Sequence, residues 1–277
     1  MAELFGRTII ITGSSRGIGR AMALKFARHG ANLVIAAKSA EPHPKLKGTI
    51  YEVADEVKAA GGKALPVQVD VRIEDQVHAM VESAIENFGR IDALINNAGA
   101  ISLTNMENTP IKRFDLMQNV NARAVFLCSQ AVLPHLRQAP EAHILSMAPP
   151  LNFKSQALRD HGPYMLSKYG MTMLSLAMAE EFKKYGISVS CLWPRTIIAT
   201  AAIEFAVGSR ETLKYCRKPE IVADAAYEIL TTDSGTLTGQ CLIDEEVLKQ
   251  RGITDFASYA YDVEYADKLH TDIFLDE

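Results

Sequence analysis

The sequence predicts an α/β fold, a parallel sheet of about seven strands with helices on both faces in three layers. Three observations predict it. Short β-rich apolar runs alternate with longer helical ones along most of the chain. Those runs are continuous, as strands covered on both faces must be, and do not alternate apolar with polar. A glycine-rich turn also joins the first strand directly to the first helix.

The elements follow in order. RTIIIT (7–12) reads as the first strand, and the helix over 17–29 ends at Gly30. NLVIAAK (32–38) is followed by a helix over 50–60 that stops at Gly61-Gly62, and ALPVQVD (64–70) by a helix over 74–88 that stops at Gly89. Each glycine is placed to form a left-handed C-terminal cap. IDALIN (91–96) precedes a long helix over 111–137, AHILSM (142–147) a helix over 163–185, and ISVSCLW (187–193) a helix over 219–231. QCLID (240–244) completes the sheet. With no repeat, low-complexity tract or long linker, a single domain over residues 1–277 is expected, with 246–277 as a C-terminal extension. That extension is acidic and rich in Tyr and Phe, which gain by burial. Three placements stay open: over the mouth of a site, against a second subunit, or along its own domain.

A chain of 277 residues with 48% hydrophobic content can bury one large core or two small ones. Its 29 basic and 33 acidic residues give a net charge of −4, which offers nucleic acid no basic field. Cys128, Cys191, Cys216 and Cys241 lie far apart with no metal-ligand spacing, so reduced thiols and no metal are expected. No apolar run is long enough to span a bilayer, so no membrane partner is expected and the cytoplasm is the expected location.

The strongest local signal is IIITGSSRGIGRAMALKFA. A strand ends at Thr12, a loop holds Gly13, Ser14, Ser15, Arg16, Gly17, Ile18 and Gly19, and a helix opens at once. Glycines there allow a tight turn, close approach to a pyrophosphate and close helix–strand packing. The helix N-terminus offers free N–H groups and partial positive charge to phosphates. Such a cradle belongs to a Rossmann-type, doubly wound sheet.

The spacing T-G-x-x-x-G-I-G resembles the short-chain dehydrogenase/reductase family, and further motifs fall in its order. NNAG (96–99) follows the fourth strand, Asn121 stands in QNVNARAVF, Tyr164 and Lys168 form Y-M-L-S-K, and Pro194 follows the sixth strand. The resemblance covers about residues 4–245 of the chain. PHPKLKGTIY, ILSMAPPLN, LWPRT and the terminal FLDE resemble the family's hydroxysteroid dehydrogenase-like branch, whose larger members append a sterol-carrier domain. The chain ends before such a domain, so a stand-alone version is expected.

The resemblance implies a dinucleotide cofactor. It places at Ala37 the position where an acid would bond the ribose hydroxyls of NAD. The next residue is Lys38, and Arg16 in the glycine loop can reach the same corner. A lost carboxylate and two cations favour the 2′-phosphate of NADP(H); Lys45 and Lys47 stand as weaker candidates for the same field. By resemblance, Asp70 meets the adenine amino group, Asn97, Ala98 and Gly99 run beside the adenine ribose, and Pro194, Thr196 and Thr200 lie toward the carboxamide and phosphate.

A four-residue spacing puts Tyr164 and Lys168 on one helix face. A neighbouring ammonium favours phenolate, so Tyr164 is expected to exchange a proton with a substrate oxygen while hydride moves at the cofactor. The resemblance gives Lys168 the nicotinamide ribose and Asn121 a helix kink with a water-mediated relay. It also implies a serine before the tyrosine, and at that place stands Pro149, which has no hydroxyl and no N–H. Ser146, Asn152, Ser155 and His161 are the candidates to replace it. After Pro194 the family's glycine is Arg195, either a loss of close approach or a substrate-facing cation.

The expected activity is an NADP(H)-dependent interconversion of an alcohol and a ketone or aldehyde on a small, mostly apolar molecule. The alternative is a weak or inactive NADP(H)-binding sensor or assembly protein. The resemblance also implies a homo-oligomer, a dimer or tetramer packed through the helix that carries Tyr164.

Overall fold

In the computed structural model, residues 3–44, 46–153, 155–207 and 210–275 are described. Seven parallel strands form one sheet in the order β3-β2-β1-β4-β5-β6-β7. They are β1 Thr8–Thr12, β2 Asn32–Ala37, β3 Lys63–Gln68, β4 Ala93–Asn96, β5 Ala142–Met147, β6 Ile187–Trp193 and β7 Cys241–Ile243. β1, β4, β5 and β6 are buried along their whole length. β3 lies at the edge and is the least buried of the long strands, which explains how it accommodates Pro66.

Side chains on β1 point alternately to opposite faces. Ile9 and Ile11 join Met22, Phe26, Ile50, Val53 and Ile229 in one apolar layer. Ile10 joins Met80, Val81, Leu127, Met171 and Phe182 in the other. The first layer is built by α1 (Gly17–Arg28), α2 (Ile50–Ala59) and α8 (Glu220–Leu230). The second is built by α3 (Glu74–Phe88), α5 (Ala124–Leu136) and α6 (Ser155–Phe182). The strand order reverses between β1 and β4, and a crevice forms at the carboxyl ends of strands at such a switch point.

The helix expected over 111–137 is three pieces: α4 Ile111–Gln118, a π-turn at Asn119–Arg123, and α5. A π-turn shifts the hydrogen-bond register by one residue and is frequent at functional sites. The helix expected from residue 163 begins earlier, at Ser155, and breaks at His161, where φ is −139° and ψ 21°. Pro163 has no N–H to continue the preceding turn, which accounts for the break. α7 spans Ala201–Val207, and none of Ala201, Ala202, Ile203 and Glu204 in it is fully buried.

α2 starts on a capping box: Glu52 N donates to Thr49 Oγ1 at 3.1 Å, and Thr49 N to Glu52 Oε2 at 2.8 Å. Caps of this kind contribute about 1 kcal/mol. The C-terminal segment packs on the body after α9 (Asp244–Gln250). Tyr215 stacks on His270 at 4.8 Å between ring centroids, and the backbones of Thr196 and Thr271 bridge. The ring of Phe274 is 1% exposed, and burying such a side chain stabilises by about 1.5–3 kcal/mol.

Candidate active site

The glycine loop leaves β1 and opens α1 at its carboxyl end. A Cβ on Gly13 would come within 2.8 Å of the Ala98 backbone, and one on Gly19 within 2.7 Å of Gly13 O. Glycine is therefore required for loop, helix and β4 to pack this closely. No side chain caps α1, and its first turn holds no acid. The free N–H groups and positive end of the helix thus remain available to an anion.

Several loop side chains are already engaged in holding the cradle. Ser14 Oγ donates to Ile11 O at 2.8 Å and accepts from Ala36 N at 3.0 Å. Asn97 Nδ2 donates to Thr12 O at 2.8 Å and Gly13 O at 3.1 Å, so this side chain ties β4 to the loop. What residues 97–99 still offer a ligand is mainly backbone. Ser15 is buried in the loop, and Ile18 packs on the α1-side core. Thr200 reaches over Gly17, whose added Cβ would meet its methyl at 3.4 Å.

Arg16 donates from one guanidinium nitrogen to Gly48 O at 2.7 Å and Ser39 Oγ at 3.0 Å. Its Nε is buried with no partner among the described residues. Lys38 does not stand free beside it: its ammonium lies 3.3 Å from Asp70 Oδ2, with the Lys38 side chain 64% exposed. Asp70 is not free for an adenine either. Arg72 clasps both carboxylate oxygens, at 2.9 and 2.6 Å, and that clasp, with Lys38 adding, holds the carboxyl well below its ordinary range. Lys47 is exposed, and Lys45 lies outside the described residues.

The π-turn brings Asn121 inside, where it is fully buried. Its Oδ1 accepts from Ala100 N at 2.8 Å, and its Nδ2 donates to Ala100 O at 2.9 Å and Ser167 Oγ at 2.8 Å. Ser167 Oγ in turn donates to Tyr164 O at 2.7 Å. A continuous path therefore runs from the glycine loop through Asn97, Ala100, Asn121 and Ser167 to the tyrosine. Ser167 was missed in the sequence although it sits inside Y-M-L-S-K.

Lys168 Nζ donates to Met147 O at 2.5 Å and lies 4.7 Å from the centroid of the Trp193 ring. Burial lowers its ammonium to about 7, with the Asp272 charge opposing. The Tyr164 hydroxyl has no hydrogen-bond partner among the described residues. Its phenol is not pulled toward neutrality as the spacing with Lys168 implied. Burial raises it above its ordinary value, and Asp272 adds to the rise. Burial is the larger of the two causes. In this state Tyr164 is a neutral acid.

Of the serine's candidate replacements, Ser146 accepts from Ser175 Oγ at 2.8 Å and is a satisfied core residue. Asn152 Nδ2 donates to Phe274 O at 3.2 Å, which turns this group to the C-terminal segment. The Ser155 side chain lies outside the described residues. His161 Nδ1 is buried without a partner among the described residues. Pro149 serves through its carbonyl, which accepts from Thr172 Oγ1 at 2.6 Å.

Arg195 is not a substrate-facing cation. It pairs with Glu246 at 2.6 Å, while its N–H is held by Asp244 Oδ1 at 2.8 Å. Pro194 leads into this pinned loop, where Thr196 Oγ1 is buried with no partner among the described residues. Trp193 Nε1 donates to Asp272 Oδ1 at 2.7 Å, a pairing across 79 residues that no sequence spacing announces.

Two orphaned buried atoms, Arg16 Nε and Thr196 Oγ1, and the uncapped α1 N-terminus fit a bound dinucleotide. Residues 7–206 match the short chain dehydrogenase family. The chain belongs to that family. Short chain dehydrogenases bind NAD(P) and are oxidoreductases. The chain is 53% identical over 275 residues to the "Hydroxysteroid dehydrogenase-like protein 2" of Homo sapiens, covering 99% of this chain but 65% of that protein. It thus spans less than two thirds of the curated relatives it matches. A solved "putative dehydrogenase from Xanthomonas campestris" is 52% identical with a TM-score of 0.95, over 99% of both chains. Two structures at 26% identity are a metagenomic short-chain oxidoreductase in complex with NADP (TM-score 0.71, 87% of this chain, 97% of that one) and "NADH-dependent reductase A1-R'" (0.70, 88% and 97%).

Proposed function

We propose that this short chain dehydrogenase is an NADP(H)-dependent oxidoreductase that interconverts an alcohol and a ketone or aldehyde on a small, mostly apolar substrate. The observation that carries the reading is the path of chain and hydrogen bonds from the glycine loop to the Tyr164 backbone carbonyl, which fixes a tyrosine whose hydroxyl has no partner among the described residues. NADPH supplies the hydride. Gly13 to Gly19 and the α1 N-terminus would hold its phosphates, and Arg16, with Lys38 and Ser39 beside it, would form the corner for a 2′-phosphate. Thr196 Oγ1 would meet its carboxamide, and the Lys168 ammonium would bind the nicotinamide ribose.

Tyr164, neutral as it stands, donates its proton to the carbonyl oxygen as charge develops there. Lys168 then stabilises the phenolate left behind. Asn121 acts through Ser167 by fixing the turn that carries Tyr164. Reduction is the direction that this protonation state favours. Turnover against a panel of apolar ketones and aldehydes, followed by loss of reduced nicotinamide, tests the reading; a chain that binds NADPH but reduces none supports the sensor alternative.

The lysine gives the pH dependence its sign. Burial lowers Lys168 to about 7, so its ammonium is lost as pH rises through that value. Since kcat/KM reports the free enzyme, kcat/KM for NADPH is expected to fall about tenfold per pH unit above that point. Lys168→Arg, charged throughout, is expected to abolish that limb; a flat wild-type profile from pH 6 to 9 would remove the lysine from this role.

The chain is proposed to act as one unit, in a homo-oligomer, in a reducing compartment such as the cytoplasm. The described cysteines are all free thiols, and no helix among the described residues is long and apolar enough to cross a membrane. Phe126 on α5 and Leu166 and Met173 on α6 are 52%, 56% and 62% exposed, a patch that a second copy would cover. Light scattering is expected to give a dimer or tetramer, and Phe126→Glu with Met173→Glu a smaller species; a monomeric wild type would end the proposal.

A further inference from the structure

We propose that the C-terminal segment His270–Leu275 is the substrate-side wall of the Tyr164 site, with Phe274 setting the size of substrate admitted and Asp272 the positioning residue that holds the wall. The inference rests on the oxidoreductase reading above and adds to it a specificity element outside residues 7–206, the stretch that matches the family.

Contacts fix the segment on both sides of the tyrosine. On the β6 side, Ile197 N donates to His270 O at 3.0 Å and Asp272 N to Arg195 O at 3.1 Å. The Asp272 carboxylate accepts at one oxygen from Trp193 Nε1 at 2.7 Å and from Phe274 N at 3.0 Å. It therefore joins the strand that ends at the site to the backbone of the very residue it positions. On the α6 side, Phe274 O accepts from Asn152 Nδ2 at 3.2 Å.

Between these anchors the Phe274 ring enters an aromatic box. Its centroid lies 5.7 Å from Tyr164, 5.6 Å from Tyr169 and 5.3 Å from Trp193, the last two edge to face. Tyr164 is left 8% exposed. The residue with the unpartnered hydroxyl is thus covered by a ring from the far end of the chain. A molecule whose carbonyl reaches that hydroxyl must fit its body against Phe274 or displace it. An apolar pocket discriminates by about ten- to two-hundredfold per methylene of fit, so the volume of this ring sets a size limit.

Trp193 is the sole tryptophan, so its emission reports on the wall directly. The test compares the wild type with Phe274→Ala, Phe274→Leu and Asp272→Ala on an open-chain, a monocyclic and a fused-ring ketone with NADPH. Phe274→Ala is expected to raise kcat/KM for the fused-ring over the open-chain ketone by about tenfold, with Phe274→Leu between it and the wild type. Asp272→Ala should shift the same ratio in the same direction, and NADPH affinity should stay within about twofold in the two Phe274 variants. An unchanged ratio in folded Phe274→Leu and Phe274→Ala would make Phe274 a core residue only and overturn the proposal; if the alanine variant does not fold, the leucine ratio decides alone. Titration of Trp193 emission with the fused-ring ketone needs no turnover. If no ketone is reduced but its affinity rises in the Phe274 variants, the wall stands and the oxidoreductase reading falls. If turnover is present and neither ratio nor affinity moves, the reading stands and the wall falls.

Discussion

Tyr164→Phe is expected to lower kcat for carbonyl reduction by about a thousandfold while leaving the fold and NADPH binding intact. The size follows from the role: a positioned acid contributes about 10²–10⁴-fold, and a thousandfold corresponds to roughly 4 kcal/mol of transition-state stabilisation. The selectivity follows from the structure. The Tyr164 hydroxyl has no hydrogen-bond partner among the described residues, so removing it orphans none of their groups. The ring keeps its contact with Phe274, 5.7 Å between centroids. Ser167 bonds the Tyr164 backbone carbonyl and not the hydroxyl, so the path to Asn121 is untouched. The melting temperature and NADPH affinity should therefore match the wild type, and single-turnover reduction in the bound complex isolates the chemical step. A variant that reduces carbonyls at the wild-type rate would show that the proton comes from elsewhere, with His161 the next group to change.

That separation of chemistry from scaffold also describes what could be read from the residues alone. The sheet was legible because strands buried on both faces must be apolar throughout, and Ile9, Ile10 and Ile11 have no other use in so short a run. The cradle was legible because glycine is the only residue that lets Gly13 approach Ala98. The π-turn was not, because a one-residue change in hydrogen-bond register leaves no mark in the composition of NVNAR. Nor were the partners that only topology creates. Cys191 and Cys241 are register neighbours on β6 and β7, where the hydrogen bond between them raises the first thiol and lowers the second. Arg195 turns to Glu246, and Asn152 to Phe274 at the far end of the chain. The aromatic extension, open to three placements by composition, packs beside Tyr164 because the loop after β6 supplies the backbone that receives it.

The preference for a phosphorylated ribose depends on such a rearrangement and is expected to be large. Arg16→Ala with Lys38→Ala should weaken NADPH binding by about a hundredfold and NADH by no more than about threefold, read by calorimetric titration. Hydrogen bonds to charged groups contribute about 1.5–3 kcal/mol, so two cations on one phosphate support a change of this order. Arg16 is the stronger of the pair. Its guanidinium is already oriented by Gly48 O and Ser39 Oγ, and its Nε is buried without a partner among the described residues, so binding need not order it afresh. Lys38 is 64% exposed and paired with Asp70, so its contribution is screened and requires it to leave a carboxylate that Arg72 continues to hold. The single variants should accordingly be unequal, with Arg16→Ala carrying most of the loss. Raising salt should erode the Lys38 share before the Arg16 share, because exposed charges are screened more than buried ones. Equal affinities for NADPH and NADH in the wild type would refute the assignment, since at 26% identity neither the NADP-bound nor the NADH-dependent relative decides it, and the weight falls on Arg16 and Lys38.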